Sequence, residues 1–113
     1  MNYIIYRDKS FLHFYHTASE GLCLKVKQKG RWGDVLKLCQ ESREGFCAYS
    51  DSDGIVHILC TDNDGKMIYL TDKNLKWNKY ILSEGNNEIT PIEFKIAKAG
   101  NILNFFCSAK YIS

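Results

Sequence analysis

"GIVHILCTDNDGKMIYLTDKNLKW", residues 54–77, decides the fold. Two apolar runs flank the Asp-Gly pair at 64 and 65, and a tryptophan closes the stretch. That is the pattern of two strands around a tight turn. Slid along the chain, the pattern recurs. "FLHFYHTASEGLCLKVKQKGRW", residues 11–32, fits beneath it at an offset of 44, with Phe11 on Ile55, His13 on His57 and Gly21 on Gly65, and Trp32 meets Trp77. A shorter copy, "ILNFFCS" at 102–108, lies 47 residues further on and sets Ile102, Phe105 and Cys107 under Ile55, Ile58 and Cys60. Repeats of a few tens of residues belong to arrays, solenoids and propellers.

Each copy resolves into four short strands. In the second they fall at 46–51, 55–61, 66–72 and 78–83, and the first copy repeats the order as "YIIYRD", "FLHFYHT", "LCLKVKQ" and "DVLKLC". "IEFKIA" and "ILNFFCS" add two more. The best helical window, "GDVLKLCQESREG", aligns with "NKYILSEG", where Tyr80 and Ile81 favour strand, so no helix longer than two turns is expected. Antiparallel four-stranded meanders at this period are β-propeller blades. The expected fold is therefore all-β, one propeller-like domain with blade 1 at 3–45, blade 2 at 46–90 and a half blade at 91–113; a flat meander sandwich is the alternative. Blades pack face to face, which accounts for "IVHILC" being almost continuously apolar where a sheet with one wet face would alternate. Val56, Ile58, Ile68, Leu70, Leu103 and Phe105 are the expected core.

"DSDGIVHILCTDNDGKMIYLTDKNLKWNKYIL" resembles the repeats of bacterial propellers of the sialidase-like and fucose-lectin-like pattern. Those blades run through an Asp-Gly turn, a strand with His and aliphatics, a second Asp-Gly turn, a strand with Tyr, and a Trp before the outer strand. The sequence lacks the Trp-Asp and Gly-His marks of WD repeats, and no Trp follows "SDSDGIVH" as a sialidase Asp-box requires. The resemblance implies a fold and a binding surface, with no catalytic set. In lectin-like propellers sugars lie between blades against aromatic faces, and this makes Trp32, Trp77, Tyr69 and Arg31 the candidate ligand-binding residues. A seal between neighbouring blades would use a recurring Trp equally well.

Composition bounds the alternatives. The 113 residues carry a formal charge of +2, with basic residues scattered, so a dedicated nucleic-acid surface is not expected. Lys25, Lys27, Lys29 and Arg31 alternate along one strand, as a solvated strand face does. Five cysteines, none in a CxxC pair and several inside apolar strands, read as reduced core residues, and this points to the cytoplasm unless a signal peptide has been removed. No run is long enough to span a bilayer.

Polar residues that could carry chemistry have simpler uses. His13, His57 and Asn104 hold equivalent positions and either converge on a channel or fix packing. "DSDG" and "DNDG" lack the flanking oxygen ligands of a calcium loop and are expected to be hairpin turns, so no metal and no cofactor are expected. No carboxylate pair matches an acid–base system, and Cys60, three residues after His57, has no activating partner in sight. The expectation is a non-catalytic binding module for a carbohydrate or protein ligand; a fragment of a propeller-type glycoside hydrolase is the alternative. Two and a half blades leave an open face around Tyr3, Ile5 and Phe11 and a free edge at 102–108. The ring is therefore expected to be completed either by further sequence of a longer propeller or by self-association, with a dimer the expected form.

Overall fold

The computed structural model describes residues 2–72, 76–83, 89–100 and 102–111. It is all-β, with no helix among the described residues. The chain forms two compact units, Met1–Glu44 and Gly45–Ser113.

The first unit is an antiparallel sheet of β1 (Asn2–Arg7), β2 (Ser10–Thr17), β3 (Gly21–Gln28), β4 (Arg31–Trp32) and β5 (Leu36–Cys39). Strands β1, β2, β3 and β4 follow in that order, and β5 pairs further along β3. Two-residue turns join β1 to β2 and β3 to β4. Positive φ at both turn residues, Asp8 (50°) and Lys9 (65°), then Lys29 (51°) and Gly30 (77°), matches the right-handed strand twist of a tight hairpin. Between β2 and β3 the Glu20 N–H donates to Thr17 Oγ1 at 3.0 Å, and Gly21 takes a φ of 72°.

Register then decides which residues face inward. Tyr3 pairs with Phe14 and Ile5 with Leu12, while Ile4 pairs with His13 and Tyr6 with Phe11. Leu12, Phe14, Leu22 and Leu24 are buried; Ile4 and Tyr6 are exposed. Each buried side chain of this size contributes about 1.5–3 kcal/mol relative to exposure. The open face expected around Tyr3, Ile5 and Phe11 is corrected here: side chains alternate along a strand, so Phe11 shares its face with Ile4 and Tyr6, and Tyr3 and Ile5 turn half-buried to the other side.

The second unit takes most of β6 (Ser42–Ser50), then β7 (Val56–Asp62), β8 (Met67–Thr71) and β9 (Asn78–Ile81), a four-stranded antiparallel meander. A separate hairpin of β10 (Ile89–Ala99) and β11 (Ile102–Tyr111) follows. Strand β7 is buried at every position, its polar His57, Thr61 and Asp62 included. Val56, Ile58, Ile68 and Leu70 are core, whereas Leu103 and Phe105 are half-buried because their hairpin is a sheet of only two strands. "GDVLKLCQESREG" is extended in two stretches, the apolar 36–39 as β5 and the polar 42–45 as the start of β6. Cys23, Cys39, Cys47 and Cys60 are free and buried; the side chain of Cys107 lies outside the described residues. No closed propeller is present among the described residues.

Candidate functional site

The second unit's two tight turns are built alike. Asp51 Oδ1 accepts the N–H groups of Asp53 (2.9 Å) and Ile55 (3.1 Å); Asp62 Oδ1 accepts those of Asp64 (2.9 Å) and Lys66 (2.9 Å). In each, the glycine three residues on takes positive φ, 78° at Gly54 and 80° at Gly65. The aspartates therefore organise backbone, and the described residues hold no cluster of three metal-type ligands.

Asp51 does one thing more. Its Oδ2 accepts a hydrogen bond of 2.8 Å from His57 Nε2, buried on β7. A carboxylate only accepts, so Nε2 carries the proton, and in the neutral ring Nδ1 accepts from the Tyr69 hydroxyl at 2.6 Å. Burial pushes the Tyr69 hydroxyl's pKa up, and the Thr71 side chain works in the opposite direction. Tyr69 thus stands as a neutral phenol oriented by a His–Asp pair. Thr71 Oγ1 is buried beside it without a hydrogen bond of sound geometry among the described residues.

These groups border a hollow of about 680 Å³ whose lining includes Asp51, His57, Tyr69, Thr71, Tyr80 and Phe105. Its polar end is the Asp51–His57–Tyr69 chain. Ile55, Ile81, Leu82 and Leu103 form its aliphatic wall. Three of its lining residues belong to a ladder of rings, one per strand: Tyr49 on β6, then His57 on β7, Tyr69 on β8 and Tyr80 on β9. Successive centroids are 6.2, 5.8 and 5.8 Å apart, with planes 27°, 9° and 24° from parallel. Phe105 of β11 meets Tyr69 edge-on at 5.1 Å. Offset and edge contacts of this kind add about 0.5–1.5 kcal/mol each beyond area burial.

Of the four residues picked out by sequence, Tyr69 lies at the centre of this site. Trp77 is half-buried just before β9 and is not among the described lining residues. Arg31 and Trp32 belong to the first unit, exposed on β4, and as neighbours on a strand they face opposite ways. His13, the counterpart of His57, is less buried and sits 3.2 Å from the side-chain oxygen of Asn2. Cys60, an odd number of residues from His57 along β7, turns to the other face of that strand. Asp51, Tyr49 and Tyr80 were not singled out by sequence. The available signal was cross-strand pairing: β7–β8 sets His57 opposite Thr71 and Leu59 opposite Tyr69, and β8–β9 then sets Tyr80 opposite Tyr69.

No family model, curated protein or solved structure matches this chain. The chemistry of the site must speak for itself. It offers planar faces for apolar stacking, an oriented phenol, a threonine hydroxyl and one carboxylate edge at the mouth of a half-apolar hollow. In ligand pockets generally, a few placed polar atoms set orientation while apolar walls supply contact area.

Proposed function

We propose that this chain is a non-catalytic binding module made of β-propeller-type blades, and that the hollow of its second unit takes a carbohydrate. The cross-strand ring ladder beside the Asp51–His57–Tyr69 chain carries this reading, since stacked rings receive sugar C–H faces and the oriented polar atoms receive hydroxyls. The meander order of β6 to β9, matched by β1 to β3 with β4 and β5, supports the blade assignment. Binding is favoured over glycoside hydrolysis because hydrolysis uses two opposed carboxyl groups, and the described lining holds one, Asp51, with both oxygens engaged. Buried free cysteines fit a reducing, cytoplasmic setting. Self-association through the β10–β11 hairpin is part of the same reading.

A glycan array followed by single substitutions tests it. Tyr80 is half-exposed at the mouth, so Tyr80→Ala should keep the fold and lose binding by about tenfold or more. Trp77→Ala assigns that half-buried indole to the site or to packing. A folded protein that captures no glycan, or binds one undiminished after Tyr80→Ala, refutes the proposal.

A further inference from the structure

The near-balanced charge of the chain conceals an uneven division. Residues 1–44 hold eight Lys and Arg against five Asp and Glu, while residues 45–113 hold seven against eight. The surplus in the first unit is gathered on one face of its sheet. Pairing places that face in three rows across the strands: Tyr6, Phe11, Lys27 and Trp32; Ile4, His13 and Lys25; Asn2, Tyr15, Cys23 and Lys37. No carboxylate occupies any row. Tyr6 and Phe11 are 5.0 Å apart, and His13 lies 6.0 Å from Trp32. The Lys25 and Lys27 ammonium groups stand 5.3 and 5.6 Å over the rings of Tyr15 and Trp32. Ile4 (66%), Tyr6 (63%), Trp32 (48%) and Phe11 (44%) are exposed, an uncommon apolar display for a sheet face. At the turn end the face sinks into a cleft of about 680 Å³ walled by Tyr6 and Phe11 and edged by Lys9, Lys27 and Lys29. Glu20 stands 3.9 Å from the Lys37 ammonium at the other end of the face, away from the cleft, and Asp8 borders the neighbouring hollow with Ser10, Gln28 and Arg31.

We infer that this face binds a single strand of nucleic acid, with a base against Tyr6 and Phe11 in the cleft and its phosphates on Lys9, Lys27 and Lys29. Rings interleaved with cations match the two surfaces of such a strand, base faces and phosphates. A duplex hides its base faces in the stack and would leave the rings idle. A sulfated glycan would use the lysines, but its charges sit on the sugar ring itself, close to any C–H face it could offer Tyr6, whereas a nucleotide holds its base plane apart from its phosphate. A second copy docked face to face would set two lysine-bearing faces against each other.

Fluorescence anisotropy of a short fluorescein-labelled oligothymidine, titrated with the full chain at several salt concentrations, tests the inference. Binding should weaken as salt rises, and quench Trp32 emission in a Trp77→Phe background. Lys27→Gln with Lys29→Gln should flatten the log–log salt slope by about 0.7 for each phosphate no longer neutralised. Tyr6→Ala should weaken binding about tenfold and leave the slope unchanged. Tyr6 is surface-exposed, and a thermal melt matching the parent's shows that the variant folds. Tyr80→Ala, in the other unit, should change nothing, which separates this surface from the carbohydrate hollow. The inference is overturned by a lack of binding at low salt, by equal affinity for duplex, by binding of a sulfated oligosaccharide alone, or by an undiminished Trp32 signal. Equal affinity of the folded Tyr6→Ala protein also overturns it, because attraction to phosphate alone would then suffice.

Discussion

Asp51 and Asp62 separate two uses of one residue type. Both accept two backbone N–H groups of their own turn, but Asp51 also holds His57 on β7. Asp51→Ala would leave the Asp53 and Ile55 amides and the His57 ring without this acceptor, costing about 2–4 kcal/mol. Asp62→Ala removes the two turn bonds and should cost less, about 1–2 kcal/mol, in the same urea-unfolding experiment. Equal losses would show that the His57 hydrogen bond contributes nothing. Tyr69 gives a pH signature. Its folded pKa is raised above that of the unfolded chain, about 10, so the phenol's contribution is complete below that pH. The contribution is lost as pH rises from there through the folded value. Tyrosinate absorbance should therefore show a late-titrating group that vanishes in Tyr69→Phe, and that variant should lose less stability across the alkaline range. The turn role of both aspartates was legible, because Asp-x-Asp-Gly between apolar runs has few other uses. The Asp51–His57–Tyr69 chain was not, since its members are joined by strand pairing and no local spacing encodes it.

At the scale of elements, strand order and type could be read from β-branched and aromatic runs broken by Asp, Asn and Gly. The strand character of residues 36–39 was decided by the repeat, against a locally helix-compatible composition. Facing was harder. A two-residue hairpin such as Asp8-Lys9 fixes register, and one residue of register exchanges every side chain between faces, so Ile4 and Tyr6 turned outward where Tyr3 and Ile5 were expected. Burial of Leu103 and Phe105 was overestimated because a repeat shows equivalence of position without showing what packs on it. Gly21, where β3 begins, tolerates no side chain. It holds positive φ, and a Cβ there would run into the carbonyl oxygens of Cys39 and Gln40, both backbone. Gly21→Ala should therefore cost about 2–4 kcal/mol, above the usual penalty for positive φ, because neither the conformation nor the space admits a methyl group. A melting temperature within a degree or so of the parent's would mean that the β3–β5 packing yields.

For the whole molecule the question is what satisfies the last hairpin. Strands β10 and β11 pair along nearly their full length, yet a two-stranded sheet is marginal in water on its own. One long edge of β11 pairs with β10; the other has no strand partner among the described residues, and Ile102 at its start is exposed. An unpaired edge of this length is a template for a further strand, and an identical edge can supply it through antiparallel pairing about a two-fold axis. Such pairing satisfies a row of backbone groups in both copies at once, and a two-fold interface needs no new surface of different chemistry. To persist at micromolar concentration it must overcome an association cost of about 4–15 kcal/mol, which interfaces of about 1,600 Å² regularly do. The expected outcome is a dimer whose mass, followed by light scattering down a dilution series, falls to the monomer value only at low concentration. Ile102→Lys places a charge at the edge and should move that midpoint to higher concentration without lowering the melting temperature of the monomer. A monodisperse parent monomer at micromolar concentration would show that the β11 edge is protected within the chain, and pairing between copies would have no part in the structure.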